Sequence, residues 1–474
     1  MSSAKEPVTR RFGNGLTVLI KEDKSHPVVS LQYWVGTGSM NEGHWQGSGL
    51  SHLLEHLVFK GTAHFSGQEL ARKVQERGGH WNAYTSVNRT VYYIDGPAES
   101  WQIFLNLLTE LVFFPTFPED EMEREKEVVR REMAMYADDP DSVAYQLLMQ
   151  TLYLKHPRRW PVLGERAAFD CLTRQDVLDY HASRYVPNNV VLSIAGDVDA
   201  AEILSHLELL VEDLKSRPLN REPIPHEPHQ FGSRRVRKEF AVPYSKLHLA
   251  WRLPCSAHPD TPALSALSSI LGGGRSARFY EKFHDRLGLV YSIEVHSNQS
   301  ETDEGAFTIS MDVDRAQRDK VRDLVLQELR NLAEEDFTED LKRVCKQTRV
   351  SRLRRRSSAS GVASEMGADW FGSRNLNLSS EWQEAIERVT TEDLHRVCST
   401  WLSSPNVTEV SLDPPGSNAG DEERASASAG TALSEHVLGN GMKVVIREDH
   451  RLPLAYACMA FKAGCRAENE HDAG

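Results

Sequence analysis

Apolar and polar residues alternate with a period of two near the start of the chain. Leu16-Thr-Val-Leu-Ile20 follows the turn Gly13-Asn14-Gly15, and residues 28–35 are rich in β-branched and aromatic side chains, so both stretches read as strands. The period then changes. Between residues 48 and 60, Leu50, Leu53, Leu54, Leu57 and Val58 recur at helical spacing, and Gly61 is the stop. Residues 67–77 read as a second helix, 81–95 as a strand pair, 98–113 and 119–136 as long helices, and 190–195 as a buried strand. The pattern predicts an α+β domain over residues 1–215, with helices laid on a mostly antiparallel sheet.

Pro218, Pro223, Pro225 and Pro228 mark residues 216–232 as a linker. A second, homologous α+β domain is expected over residues 233–413, opening with the strand Lys246-Leu-His-Leu-Ala-Trp251. Residues 414–432, rich in Gly, Ser, Ala and charge, read as a flexible linker. Beyond them, Val437-Leu-Gly-Asn-Gly-Met-Lys-Val-Val-Ile-Arg-Glu-Asp449 repeats Arg11-Phe-Gly-Asn-Gly-Leu-Thr-Val-Leu-Ile-Lys-Glu-Asp23 at a constant offset. Such a long period marks a duplicated module. Residues 433–474 therefore read as the truncated start of a third homologous domain.

Composition narrows the function. The 474 residues carry a formal net charge of −13, which argues against nucleic acid as a partner. No window approaches the ~18 apolar residues that a bilayer span needs, so no membrane insertion is expected. The start MSSAKEPVTRRFGNG lacks the apolar core of a secretory signal, and with Met1 as the native start a cytoplasmic location is expected. The six cysteines form no C-x-x-C pair and read as free thiols.

The chemistry concentrates in His52-Leu-Leu-Glu55-His56. On a helix these three polar residues fall within about 100° of arc. Two imidazoles one turn apart can share one tetrahedral zinc, and the carboxylate between them can take a proton from a water on that zinc. Downstream, Glu125 and Glu132 are seven residues apart and share one face of a charged helix. By itself that run reads as a solvated helix face.

With these residues the chain resembles the pitrilysin family of inverted-motif zinc peptidases, which includes insulin-degrading enzyme and mitochondrial processing peptidase. In that family a ligand glutamate follows the second histidine by about 76 residues, which falls on Glu132, and a further glutamate falls on Glu125. The family's G-x-x-N-A-x-T strand is matched by Gly79-His-Trp-Asn82-Ala83-Tyr-Thr85. Its second-domain pattern is matched by Leu271-Gly-Gly-Gly-Arg-Ser276 and Gly288-Leu-Val-Tyr291. The resemblance implies a zinc endopeptidase with one zinc per chain, held by His52, His56 and Glu132. Glu55 would act as general base, and Glu125 would orient a ligand or the base. Asn82 and Ala83 would pair with an extended peptide substrate, and Tyr291 would assist from the facing domain. Family members place an arginine seven residues before that tyrosine, where this chain has His284. The resemblance also implies either a homodimer or a missing C-terminal half of the same chain. The rival function is a non-catalytic partner or scaffold subunit of a peptidase complex, although such members usually lose a motif residue and this chain keeps all four.

Overall fold

The computed structural model describes residues 6–219, 223–299, 304–402, 405–415, 434–446 and 459. Six strands build the first sheet: β1 (Val8–Arg11), β2 (Thr17–Glu22), β3 (Val28–Val35), β4 (His80–Thr85), β5 (Thr90–Pro97) and β6 (Val190–Gly196). Their order is β1-β2-β6-β3-β5-β4, and every pair is antiparallel except β2 with β6. A second sheet contains β7 (Arg234–Glu239), β8 (Ser245–Leu253), β9 (Val290–Asn298), β10 (Gly305–Val313) and β11 (Thr408–Asp413), ordered β7-β11-β8-β10-β9. Here β7 runs parallel to β11, as β2 does to β6.

Leaving β1 aside, both sheets arrange their five strands as first, fifth, second, fourth, third. This shared topology is that of two tandem homologous α+β units. The second sheet opens one strand earlier than residues 246–251 suggested. Its β7 reads Arg-Arg-Val-Arg-Lys-Glu, and an edge strand of this kind carries charge in place of an apolar stripe.

Helices cover both faces of the first sheet. Leu50, Leu53, Leu54 and Leu57 of the helix Leu50–Val58 join Leu31, Tyr33, Tyr92 and Ile94 of the strands in one core. The other face is covered from the second unit: Val362, Ala363 and Met366 of the helix Ala359–Ser373 pack on Trp34, Val91 and Val191. Gly367 permits that approach, because a Cβ there would lie 2.3 Å from Trp34 Cε2. The exchange is reciprocal. Leu148, Met149 and Leu152 of the helix Pro140–Leu152 pack on Ala250, Ala306 and Val410 of the second sheet. Each unit thus lends one helix to the other.

A hairpin of β12 (Ser434–Val437) and β13 (Lys443–Ile446) follows. Ser434 pairs with Ile446 and Val437 with Lys443, just as Val8 pairs with Ile20 and Arg11 with Thr17 in β1 and β2. The repeat seen in the sequence therefore forms the same local structure twice. The readings made for residues 416–433 and 447–474 fall outside the described residues, Met459 excepted. Among the described residues no helix is long and apolar enough to cross a membrane, and Cys171, Cys255, Cys345 and Cys398 are free thiols.

Candidate metal centre

The helix Leu50–Val58 starts at Gly49, whose φ of 73° is left-handed and whose Cβ, if present, would lie 2.0 Å from the Leu163 carbonyl oxygen. Gly49 has no side chain to cap the helix. Glu42 does so from outside: its Oε1 accepts the Ser51 N–H at 2.9 Å. Glu42 is 1% exposed, and burial pushes its carboxyl up to about 8 despite backbone donors from Ser51, Gly49 and Gly47. The Ser51 hydroxyl in turn pairs with the Tyr180 hydroxyl at 2.8 Å, which fixes the first turn.

Leu50, Leu53, Leu54, Leu57 and Val58 are fully buried, so the helix cannot rotate about its axis. His52, Glu55 and His56 then point together along the remaining face. The helix Glu119–Asp138 lies beside it and supplies Glu125 and Glu132. Glu132 Oε2 lies 3.7 Å from His52 Nε2 and 3.8 Å from His56 Nε2. One donor atom from each residue lies within 4.8 Å of the others. These separations are too long for hydrogen bonds. They approach the ~3.4 Å edge of a tetrahedron with bonds of ~2.1 Å, the geometry that zinc takes with His and carboxylate ligands. Burial, with His56 as a second cause, lowers His52 to about 3, so its ring is neutral at pH 7 and offers a lone pair. His52 Nδ1 is buried without a hydrogen-bond partner. The residues present fit a bound zinc ion.

Glu125 stands behind the histidine and outside the donor set. Its Oε2 lies 3.1 Å from His56 Nδ1 and its Oε1 lies 2.6 Å from Lys60 Nζ. Burial works to raise this carboxyl, but the bonds to His56 and Lys60 outweigh it and hold Glu125 below its ordinary value. With His56 Nδ1 turned to Glu125, its Nε2 faces Glu132. Glu55 faces the cleft. Burial raises its carboxyl above the usual range, partly opposed by the Thr85 hydroxyl, which donates to Oε2 at 2.6 Å.

The cleft holds about 840 Å3. His52, Glu55 and Glu132 line it on one side, Ala83, Tyr84 and Thr85 of β4 on another, and Met133, Tyr136, Tyr145 and Trp160 form an apolar wall. Lys238 reaches it from the second sheet. β4 is an edge strand, with β5 on one side only. Asn82 is exposed, and its Oδ1 accepts the Ala83 N–H at 2.9 Å. Tyr291 is not brought to this cleft. It lies on β9, the far edge of the second sheet, packs at a tilt against Tyr244 and donates to Asp314 Oδ1 at 3.0 Å. His284 stacks on Tyr280 and pairs with Asp285. Neither residue lines the cleft, because the face of the second unit turned to the zinc motif is the one carrying Lys238.

Lys60, Thr85 and Glu42 were not assigned roles from sequence. Thr85 belongs to the Asn82-Ala83-Tyr-Thr85 run, so its position on β4 was the available signal. Glu42 recurs as Glu468 at the offset of the repeat, which marked the position without its role; Lys60 gave no signal, since its partner comes from tertiary packing.

The description "Insulinase (Peptidase family M16)" matches residues 17–166, and "Peptidase M16 inactive domain" matches residues 172–347. A Bacillus subtilis (strain 168) relative named "Uncharacterized zinc protease YmxG" is 27% identical over 385 residues, covering 81% of this chain and 92% of the relative. A Mycobacterium tuberculosis (strain ATCC 25618 / H37Rv) relative, also named an uncharacterized zinc protease, is 30% identical over 299 residues, covering 62% of this chain and 67% of the relative. The crystal structure of a protease from Helicobacter pylori superposes with a TM-score of 0.79 at 26% identity, covering 86% of this chain and 100% of that one. Two matched family domains, relatives named zinc proteases and a solved protease of the same fold lead to one assignment: the chain belongs to the insulinase family of peptidases, M16.

Proposed function

We propose that the chain is a zinc-dependent endopeptidase that hydrolyses peptide bonds in extended or unfolded segments. The observation that carries this reading is the convergence of His52, His56 and Glu132 on one point, with the Glu55 carboxylate facing the same cleft. His52, His56 and Glu132 would hold the metal, one ion per chain. When bound, zinc supplies a Lewis acid that polarises the scissile carbonyl and makes water more acidic.

The remaining work falls to side chains. Glu55 Oε2 is engaged by Thr85, which leaves Oε1 to take the proton of the attacking water. The carboxyl's raised proton affinity suits it to that transfer and to handing the proton on to the leaving amine nitrogen. Glu125 keeps His56 aimed at the donor set. The free edge of β4 offers backbone groups to an extended peptide, which binds as an added strand with little demand on its sequence once Asn82 Oδ1 gives up the Ala83 N–H to it. Met133, Tyr136, Tyr145 and Trp160 give substrate side chains an apolar surface beside the reacting bond. A non-catalytic scaffold role gains no support from this site, since no motif residue is replaced.

The test compares a folded protein with its denatured chain as substrate, each with and without a zinc chelator. The proposal expects chelator-sensitive cleavage within the denatured chain and little cleavage of the folded one. Equal rates on both, or cleavage that survives zinc removal, would reject it.

A further inference from the structure

A second cleft lies away from the histidine pair, where the end of β1 meets the C-terminal end of the helix Ala359–Ser373. It holds about 580 Å3. Arg11 and Arg374 line it, together with Asn41, Ile224 and Trp370, and among the described residues no aspartate or glutamate does. That composition is unexpected in a chain of net charge −13. Arg11 and Arg374 are both exposed to solvent; elsewhere Arg318 meets Asp413, Arg352 and Arg356 share Glu365, and Arg396 meets Asp260. Among the described residues, Arg11 and Arg374 form no ion pair.

The backbone points to the same residue. Arg374 ends its helix with φ 58°, and it and Phe117 are the non-glycine residues of positive φ among those described. A left-handed helix end is ordinarily glycine, because a Cβ costs energy there. Keeping arginine at that position strains the backbone and places a second guanidinium near enough to repel Arg11. Partial desolvation among the cleft's side chains, with that repulsion as the second cause, holds Arg374 below the usual arginine range. Two like charges thus line one cleft at the junction of the two units. Further donors stand ready. Asn41 accepts the Gly38 N–H on Oδ1, which leaves its amide N–H groups to give. The Trp370 indole N–H is buried without a partner.

We propose that this cleft binds a small anion of two or more negative charges, a phosphate or a polycarboxylate, clamped between Arg11 and Arg374. A guanidinium grips either group through paired charge-assisted hydrogen bonds. One ligand touching β1 and the helix Ala359–Ser373 would tie the two units together and raise the thermal stability of the whole.

The test uses the zinc-loaded chain. Its melting temperature and heat of binding are followed on titration with inorganic phosphate and, separately, with succinate, against sodium chloride at matched ionic strength. The proposal expects a saturable response to at least one of the two; which one responds assigns phosphate or carboxylate as the natural chemistry. Arg374→Gly removes the guanidinium while suiting the left-handed backbone, so it should fold and hold zinc like the parent yet bind about tenfold more weakly or worse. Arg11→Gln, on an exposed strand end, should weaken binding in the same way. No saturable response to either anion beyond the chloride control would overturn the proposal, as would Arg374→Gly binding like the parent.

Discussion

Replacing Glu125 by Gln tests whether a residue outside the donor set tunes the metal site. The carboxylate lies 3.1 Å from His56 Nδ1 and 2.6 Å from Lys60, with a side chain 9% exposed. Glutamine keeps the shape and can still accept one hydrogen bond, but it loses the charge that makes the bond to His56 roughly twice as strong as a neutral one. Losses of such outer partners cost about 10–100-fold in metal affinity, or about 1.4–2.7 kcal/mol at 25 °C. The variant should also lose some fold stability, because Lys60 keeps its charge without a partner. That cost should stay below the ~3–5 kcal/mol of a fully buried broken pair, since the Lys60 side chain is 28% exposed and water can reach it. Zinc affinity would be read by competition with a chromophoric chelator at pH 7.5, with thermal melting as the folding control. Lys60→Met should leave zinc affinity near the parent's, because Glu125 would then serve His56 alone. A Glu125→Gln affinity within about threefold of the parent would refute the argument.

Two further outcomes follow from burial. Glu42, raised from an ordinary 4.5 to about 8, binds a proton in the native state at pH values where the unfolded chain has lost it. Its contribution to stability is therefore present below about pH 4.5 and declines as pH rises through about 8; Glu42→Gln, neutral throughout, should flatten the fall in denaturation midpoint between pH 5 and 8, and an unchanged slope would show that Glu42 is not the group responsible. Gly367→Val should destabilise the chain by about 1–3 kcal/mol, since the new Cβ would meet Trp34 Cε2 at 2.3 Å and Trp34 is 2% exposed. The melting temperature should drop by about 2–4 °C per kcal/mol without loss of zinc, and an unchanged melting temperature would contradict the packing account.

Local periodicity made much of this structure legible. The alternation around Leu16–Ile20 became β2, residues 28–35 became β3, and the apolar stripe of Leu50, Leu53, Leu54 and Leu57 became the helix that aims His52, Glu55 and His56. The turn of Glu125 and Glu132 toward that helix was not legible from their own charged helix. The family resemblance implied it through the spacing from His56, and the geometry places Glu132 beside both histidines and Glu125 behind one of them. Three features escaped because tertiary contacts decide them. β7 is a charged edge strand whose only partner among the described residues, β11, lies some 170 residues away in sequence. The helix Ala359–Ser373 covers a sheet belonging to the other unit. Tyr291 has the right local pattern, yet its strand takes it to the far edge of the second sheet.

The central claim is that Glu55 does the proton chemistry while His52, His56 and Glu132 hold the metal. Zinc content and cleavage of a quenched extended peptide, measured side by side on the parent chain and on Glu55→Gln, separate the two roles. The account predicts one zinc per chain in both, with turnover in the parent and a loss of at least about 100-fold in the variant. Turnover by Glu55→Gln at the parent's rate, or loss of zinc on that change alone, would contradict it.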